Sequence, residues 1–247
     1  MKNIIIYSAL LMLLTVSCHK IPDDWGVIPT ENLVAYYPFN GNANDESGNK
    51  NDGTVHGATL TEDRFGNPNK AYYFNGFDNY IEVKNSESLN IVGPITICVW
   101  IKTDMMGGNW SGIVNKCQHT SQQRDGYLTF LDTTNKFSLY IDNDWYGKGA
   151  TCCYGITNVN DNKWHFLVGL YDRKNIKVYL DGNFENSSIC TQDMPSNTEN
   201  LFIGYDFWFH VNSLTAPNYL VTYDYFKGTL DDIRIYNCAL TDKEIKA

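Results

Sequence analysis

The chain of 247 residues is long enough for one or two domains, and all-β sandwiches of this length are commonly single ones. Glycine, asparagine, aspartate and tyrosine are abundant and no long amphipathic helical period runs through it, which suits many strands joined by turns. The formal charge is −9, so the surface repels phosphate backbones and disfavours nucleic acid as a partner.

The chain opens on "MKNIIIYSALLMLLTVSCHK": a basic start, an apolar run over residues 4–16, then Ser17 before Cys18. That run is shorter than the roughly 20 residues a bilayer core requires, so residues 1–17 read as an export signal. The "LLTVSC" end resembles a bacterial lipobox, which makes Cys18 the expected lipidated mature N-terminus; more than one acyl chain there gives stable membrane attachment. Residues 18–31, with Pro22, Pro29 and "DDWG", read as lipidated cysteine and tether, and residues 32–247 as one domain. The expected location is a bacterial cell envelope.

Strand-like runs then recur between turn residues: "LVAYYPF", "GTVHGATL", "AYYF", "YIEVK", "ITICVWIKT", "GIVNK", "GYLTFL", "KFSLYID", "KWHFLVGLYD", "NIKVYLDG", "NLFIGY" and "GTLDDIRIY". This density of short strands predicts an all-β fold of two packed antiparallel sheets. The turn at 172–175 predicts a hairpin, with Ile176, Val178 and Leu180 on one side and Lys177 and Tyr179 on the other. Between Tyr205 and Phe226 lies "DFWFHVNSLTAPNYLVTYDY", rich in aromatics and without clean alternation, as expected of a functional loop or flap. "TDKE" at 241–244 fits a capping box opening a short helix.

In "GTLDDIRIYN" period-two alternation puts Asp231 on the side of Ile233 and Ile235, and Asp232 with Arg234 and Tyr236. One carboxylate is thereby directed inward and needs a partner: an arginine such as Arg64 or Arg234, backbone N–H groups, or a metal ion. Cys98, Cys117, Cys152, Cys153, Cys190 and Cys238 are an even set in an exported chain; disulfides are allowed, and spacing does not choose among pairings. With no C-x-x-C, a structural zinc site is not expected.

The order of these motifs resembles bacterial laminin-G-like domains of the concanavalin A-like lectin/glucanase superfamily. "YYPFNGNANDESGNKNDGTVHGATLTEDRFGNPNKAYYFNGFDNYIEV", "ITICVWIKT", "KWHFLVGLYD", "IKVYLDG" and "GTLDDIRIYNCALTDKEI" carry the likeness over residues 33–246. The resemblance implies a concanavalin A-like jelly-roll sandwich and fixes no ligand. It also implies a structural calcium ion, with Asp231 as the surest ligand, Asp45 as the acidic residue of the loop 40–53, and carbonyls near Asn40 and Gly41. "DNDWYG" at 142–147 opens like an EF-hand loop, but its fifth position is Tyr146 and its twelfth Cys153, so the oxygen pattern fails.

Glucanases of the superfamily place their acids as E-x-D-x-x-E on one strand, and that spacing is absent, as are G-x-S-x-G and H-E-x-x-H. Sugar recognition uses an aromatic plane against a pyranose face, with polar groups on the hydroxyls. Trp110, Trp145 and Trp208 in expected loops are the candidates, with Tyr146 beside them and Tyr219 and Tyr223 secondary. Trp100, Trp164 and His165 match framework positions and read as packing. The sequence therefore describes a non-catalytic, lipid-anchored domain binding a glycan or glycoprotein. A protein-binding module and a divergent glycoside hydrolase are the alternatives.

Overall fold

The computed structural model describes residues 29–246 except 120–123, 143–150, 192 and 212–218. The expected export signal, Cys18 and most of the tether lie outside the described residues, as do Trp145 and Tyr146. In chain order the strands are β1 (Leu33–Tyr37), β2 (Gly53–His56), β3 (Thr59–Thr61), β4 (Ala71–Asn75), β5 (Tyr80–Val83), β6 (Ile95–Lys102), β7 (Ser111–His119), β8 (Arg124–Leu131) and β9 (Lys136–Asp142). They continue as β10 (Thr151–Asn158), β11 (Trp164–Tyr171), β12 (Asn175–Leu180), β13 (Asn183–Ile189), β14 (Leu201–Ile203), β15 (Tyr205–Val211), β16 (Tyr219–Tyr225) and β17 (Lys227–Tyr236), before helix α1 (Asp242–Ile245).

Two antiparallel sheets take nearly all of them. The first runs β13-β12-β11-β6-β17-β4-β3, with β1 also on β17; the second runs β10-β9-β8-β7-β14-β5-β2. Strand β6 has the expected alternation: Ile95, Ile97, Val99 and Ile101 enter the core, while Trp100 and Lys102 stay half-buried on the other face. The second sheet answers with Val114, Tyr127, Leu139 and Ile203. Each such aliphatic side chain contributes about 1.5–3 kcal/mol by leaving water, and trimming Ile97 to alanine costs roughly 2–5 kcal/mol.

"GTVHGATL" is not one strand. Its first half pairs with β5 in the second sheet and its second half with β4 in the first. Gly57 between them has a φ of +74° and turns the chain from one sheet to the other, a conformation open to glycine. Strands β10 and β13 also escaped the alternation reading. Turn 172–175 is as expected: Asp172 Oδ1 accepts from the backbone N–H of Lys174 (2.9 Å) and of Asn175 (2.7 Å). So is α1, where Thr241 and Glu244 form the reciprocal capping box. Its Ile245 joins Leu240, Val168, Leu170 and Tyr236 in a small apolar cluster on the outside of the first sheet.

The aromatic insert is a hairpin, β15–β16, paired from Tyr205↔Tyr225 to Val211↔Tyr219. It lies over β7, the middle strand of the second sheet. A Cβ on Gly112 would come within 2.6 Å of Asp206 backbone and side-chain atoms, so glycine is what admits it. The buried Asp206 accepts from Asn115 Nδ2 at 2.8 Å, which fixes the seat.

Candidate functional site

On the second sheet, alternation sends Leu139, Tyr127 and Val114 inward and leaves Cys117, Leu128, Phe130, Tyr140 and Cys152 on the outer face. Trp110, just before β7, packs on this outer group. Its ring lies 5.1 Å from Phe130 and 6.4 Å from Tyr154, whose side is exposed. Rings at tilted or edge-on angles in this way are held by their neighbours while presenting apolar surface to solvent. On the other flank of the hairpin, His56 stacks on Tyr80 (4.4 Å), and Tyr80, Phe202, Tyr205 and Tyr225 continue the row at 5.0–6.1 Å. There Glu82 accepts from Asn200 Nδ2 at 2.6 Å and approaches His56 Nε2 at 3.3 Å.

Of the expected sugar-binding residues, Trp110 is therefore on the outer face of the second sheet, at the edge of an aromatic group. Trp208 belongs to β15, the strand over β7, but its side chain is outside the described residues, as are those of Tyr219 and Tyr223. Phe130, Tyr140 and Tyr154 were missed; the first two had a signal as the outward positions of "GYLTFL" and "KFSLYID", whereas Tyr154 lies on β10, which alternation did not reveal. Trp100 is packing, as expected, against Phe166 (5.3 Å). His165 is held between two acids, with Nδ1 2.9 Å from Asp181 and Nε2 3.0 Å from Asp161. Burial pulls its pKa down, but these two contacts more than offset that and it ends above the ordinary value.

The paired aspartates need a correction. Leu230, Ile233 and Ile235 all face the core, so one extra residue sits between Leu230 and Ile233. The β17–β6 register slips there, and Asp232 has a φ of +51°. The slip falls where the opposite edge of β17 changes partner from β4 to β1. This β-bulge turns both carboxylates to the outside of the first sheet, rather than one inward. Arg64 meets both, Nη1 to Asp231 at 2.5 Å and Nη2 to Asp232 at 2.8 Å, and Arg234 reaches Asp232 at 2.6 Å. Burial pushes the Asp231 carboxyl up to about 6, with Arg64 pulling it back and Asp232 pushing it further.

Of the two carboxylates expected for calcium, Asp231 meets Arg64 through Oδ2 and Asp45 is taken up within its own loop. Asp45 Oδ1 accepts from the N–H of Tyr36 and of Ser47, and Oδ2 from the N–H of Asn51 and the Ser47 hydroxyl, at 2.8–2.9 Å. A carboxylate has about four lone-pair sites, and all are used. Asn40 Oδ1 accepts from Lys70 Nζ at 2.9 Å and Gly41 N–H donates to Phe39 O at 2.7 Å; neither bond uses the backbone carbonyls expected as ligands. Asp231 and Asn40 do line one cleft, but Arg64 and Lys70 bring two fixed positive charges into it. A divalent cation does not fit that arrangement, and arginine is the partner the buried acid has. Among the described residues no three His, Cys, Asp or Glu side chains are grouped to hold a metal.

One further buried charge is structural. Lys116, 1% exposed, donates to Asn85 Oδ1 (2.9 Å), Glu199 O (2.7 Å) and both oxygens of Asn197 (3.3 Å), and burial lowers it to about 8. Burial pushes the Cys98 thiol up to about 12, which makes it inert.

Two sheets, a bulged central strand and a hairpin over the outer face define a concanavalin A-like jelly-roll sandwich. The chain belongs to the laminin G family described as "Concanavalin A-like lectin/glucanases superfamily", whose pattern matches residues 74–246. No curated protein matches it. Among solved structures it is similar to domain 4 of AbnA, a GH43 extracellular arabinanase from Geobacillus stearothermophilus, in complex with arabinotriose. The identity is 19%, the TM-score 0.62, and 87% of this chain and 97% of that one are covered. It is also similar to the binding domain of Paraclostridial Mosquitocidal Protein 1, at 17% identity and TM-score 0.64, covering 88% and 51%. A third is the botulinum neurotoxin serotype D ligand binding domain in complex with N-acetylneuraminic acid, at 14% and 0.63, covering 88% and 50%. The chain spans about half the length of the two toxin domains, and at these identities the likeness is one of fold.

Proposed function

We propose that this chain is a non-catalytic carbohydrate-binding module held at a bacterial cell envelope through lipidated Cys18. The observation that carries the reading is the aromatic group of Trp110, Phe130 and Tyr154 on the outer face of the second sheet. A sugar ring would lay its apolar C–H face on this surface, and polar groups of the adjoining loops would take its hydroxyls. Trp145, Tyr146 and Trp208 remain candidates to extend it. The arabinotriose bound to the arabinanase domain and the N-acetylneuraminic acid bound to the toxin domain support a glycan as the ligand class, as properties of those proteins.

The test is a glycan array probed with the parent chain and with Trp110→Ala, Trp145→Ala and Trp208→Ala. Losing a stacking ring should weaken binding about tenfold or more in the Trp110 variant, which corresponds to roughly 1.4 kcal/mol. Unchanged glycan binding in all three variants removes the site. A screen in which proteins bind and no glycan does would favour the protein-binding module. For the anchor, Cys18→Ala should move the protein from the membrane to the soluble fraction; full membrane retention would refute lipidation there.

A further inference from the structure

The outside of the first sheet carries a separate cleft of about 150 Å³, bounded by the loop at Asn40, the turn at Asp63–Phe65, Lys70 and the bulge at Asp231–Asp232. It lies on the face of the sandwich opposite Trp110, so it does not rest on the reading given to that residue. The Asp231 side chain is 3% exposed, and only its Oδ2 is engaged, by Arg64. Among the described residues nothing hydrogen-bonds its Oδ1. That oxygen is not sealed in the interior but opens on the cleft, where an incoming donor can complete it.

The remaining lining says what that donor is. Lys70 Nζ makes a hydrogen bond to Asn40 Oδ1, which uses one of its three donors. Phe65 is 68% exposed, although its backbone is pinned: Asp63 Oδ1 accepts from the N–H of Phe65 and of Asn67, both at 2.8 Å. The Arg64 guanidinium lies 4.6 Å from the Phe65 ring and 5.0 Å from Trp100, so one side of Phe65 is backed and the other faces solvent. The cleft is lined by three acids, Asp63, Asp231 and Asp232, against two bases, Arg64 and Lys70; behind the lining Arg234 adds a base at Asp232, and Glu46 adds an acid that accepts from Asn40 Nδ2 at 3.3 Å. No positive surplus is left to recruit an anionic ligand. The volume matches that of a cavity that admits one six-membered ring.

We propose that this cleft is a second saccharide site, taking a single neutral pyranose ring. The ring's apolar face lies on the open side of Phe65, one hydroxyl donates to Asp231 Oδ1, and Lys70 donates to a neighbouring oxygen. Binding one ring through one stacking contact and two hydrogen bonds gives millimolar affinity, so the site reads a terminal residue or works alongside another contact.

Saturation-transfer NMR on the full chain tests this, with the methyl glycosides of glucose, galactose and mannose as probes and with glucuronate and glucosamine as charged counterparts. At least one neutral glycoside should receive transfer, the charged sugars less. The signal should persist in Trp110→Ala and fall at least fivefold in both Phe65→Ala and Lys70→Ala; Phe65 is exposed and Lys70 partly so, and both variants should keep the parent's melting temperature. No transfer to any neutral glycoside overturns the proposal. So does a signal undiminished in Phe65→Ala and Lys70→Ala, one lost only in Trp110→Ala, or a preference for a charged sugar. Because Trp110→Ala separates the two faces, failure here is distinguishable from failure of the site on the second sheet.

Discussion

Replacing Arg64 with methionine keeps the stem that lies along Trp100 and Phe65 but removes the charge shared by two buried acids. Asp232 retains Arg234 at 2.6 Å; Asp231, with its side chain 3% exposed, loses the one cation beside it. Removing one partner of a buried pair costs about 3–5 kcal/mol, and since only one of the two acids is orphaned the low end, about 3 kcal/mol, is expected. For a domain of this size that lowers the melting temperature by roughly 6–12 °C. The deficit should depend on pH. The Asp231 pKa is raised in the folded state, to about 6, so between its unfolded value and that value folding takes up a proton. Stability contributed by this group therefore grows as pH falls through that window and is lost above it, and a neutral carboxyl has no need of Arg64. Urea denaturation followed by circular dichroism at pH 7 and pH 5 should show a smaller deficit at the lower pH. Changing Asp231 to leucine in the same chain should restore most of the loss. A variant within about 0.5 kcal/mol of the parent at pH 7, or equally impaired at both pH values, refutes the reasoning. The same experiment addresses calcium: neither added calcium nor a chelator should move the parent's midpoint, and a rise with calcium would return the ion to Asp231.

Three other perturbations probe separate parts of the scaffold. His165 should titrate by NMR above its ordinary 6.5, because Asp181 and Asp161 outweigh its burial. Its share of stability is complete below the unfolded pKa and is lost as pH rises through the raised folded one; Asp181→Asn should bring the midpoint back down, and an unmoved midpoint would contradict the pairing. Lys116→Met strips the donor from four oxygens and should cost about 2–4 kcal/mol in urea denaturation, whereas a neutral outcome would mean that water replaces the ammonium freely. Gly112→Ala places a Cβ 2.6 Å from backbone atoms of Tyr205 and Asp206 and should destabilise by about 1–3 kcal/mol; a variant as stable as the parent would show that the hairpin yields easily.

Much of the sandwich was legible because burial on one face writes itself into period-two alternation, as in β6 and β12. The rule failed where a local event broke the period. One extra residue at Asp232 reversed the facing inferred for Asp231, and nothing in "TLDDIRIY" marks a bulge, since aspartate, although enriched at positive φ, still stands mostly at negative φ. "GTVHGATL" looked continuous because a chain that changes sheets at one glycine keeps β-forming residues on both sides. Strands β10 and β13 are rich in polar and small residues and lie at the sheet edges, where burial demands little. The hairpin β15–β16 hid its alternation because aromatic residues stand at consecutive positions, as in "DFWFH", and leave no period of two to read. At the site, Trp110 was found by residue type, whereas Phe130 and Tyr154 required knowing which face of β8 and β10 points away from the core. Arg64 was visible as a candidate partner, but only three dimensions decide between a guanidinium and a metal ion 167 residues from Asp231 in sequence.

The hairpin leaves the sandwich through a narrow neck. Gly204 N–H donates to Ile113 O at 2.9 Å and Phe226 N–H donates back to Gly204 O at 3.0 Å, so the strands entering and leaving are tied together at the base. Both sheets are complete on the near side of that tie. Cutting the excursion off at Tyr205 and Tyr225 and splicing in a short link would leave Asn115 facing water instead of Asp206. The protein thus carries this hairpin as an appendage tied at the neck and seated on β7 by Gly112 and Asn115, so that its length beyond the seat can change while the strand pairing of both sheets is kept.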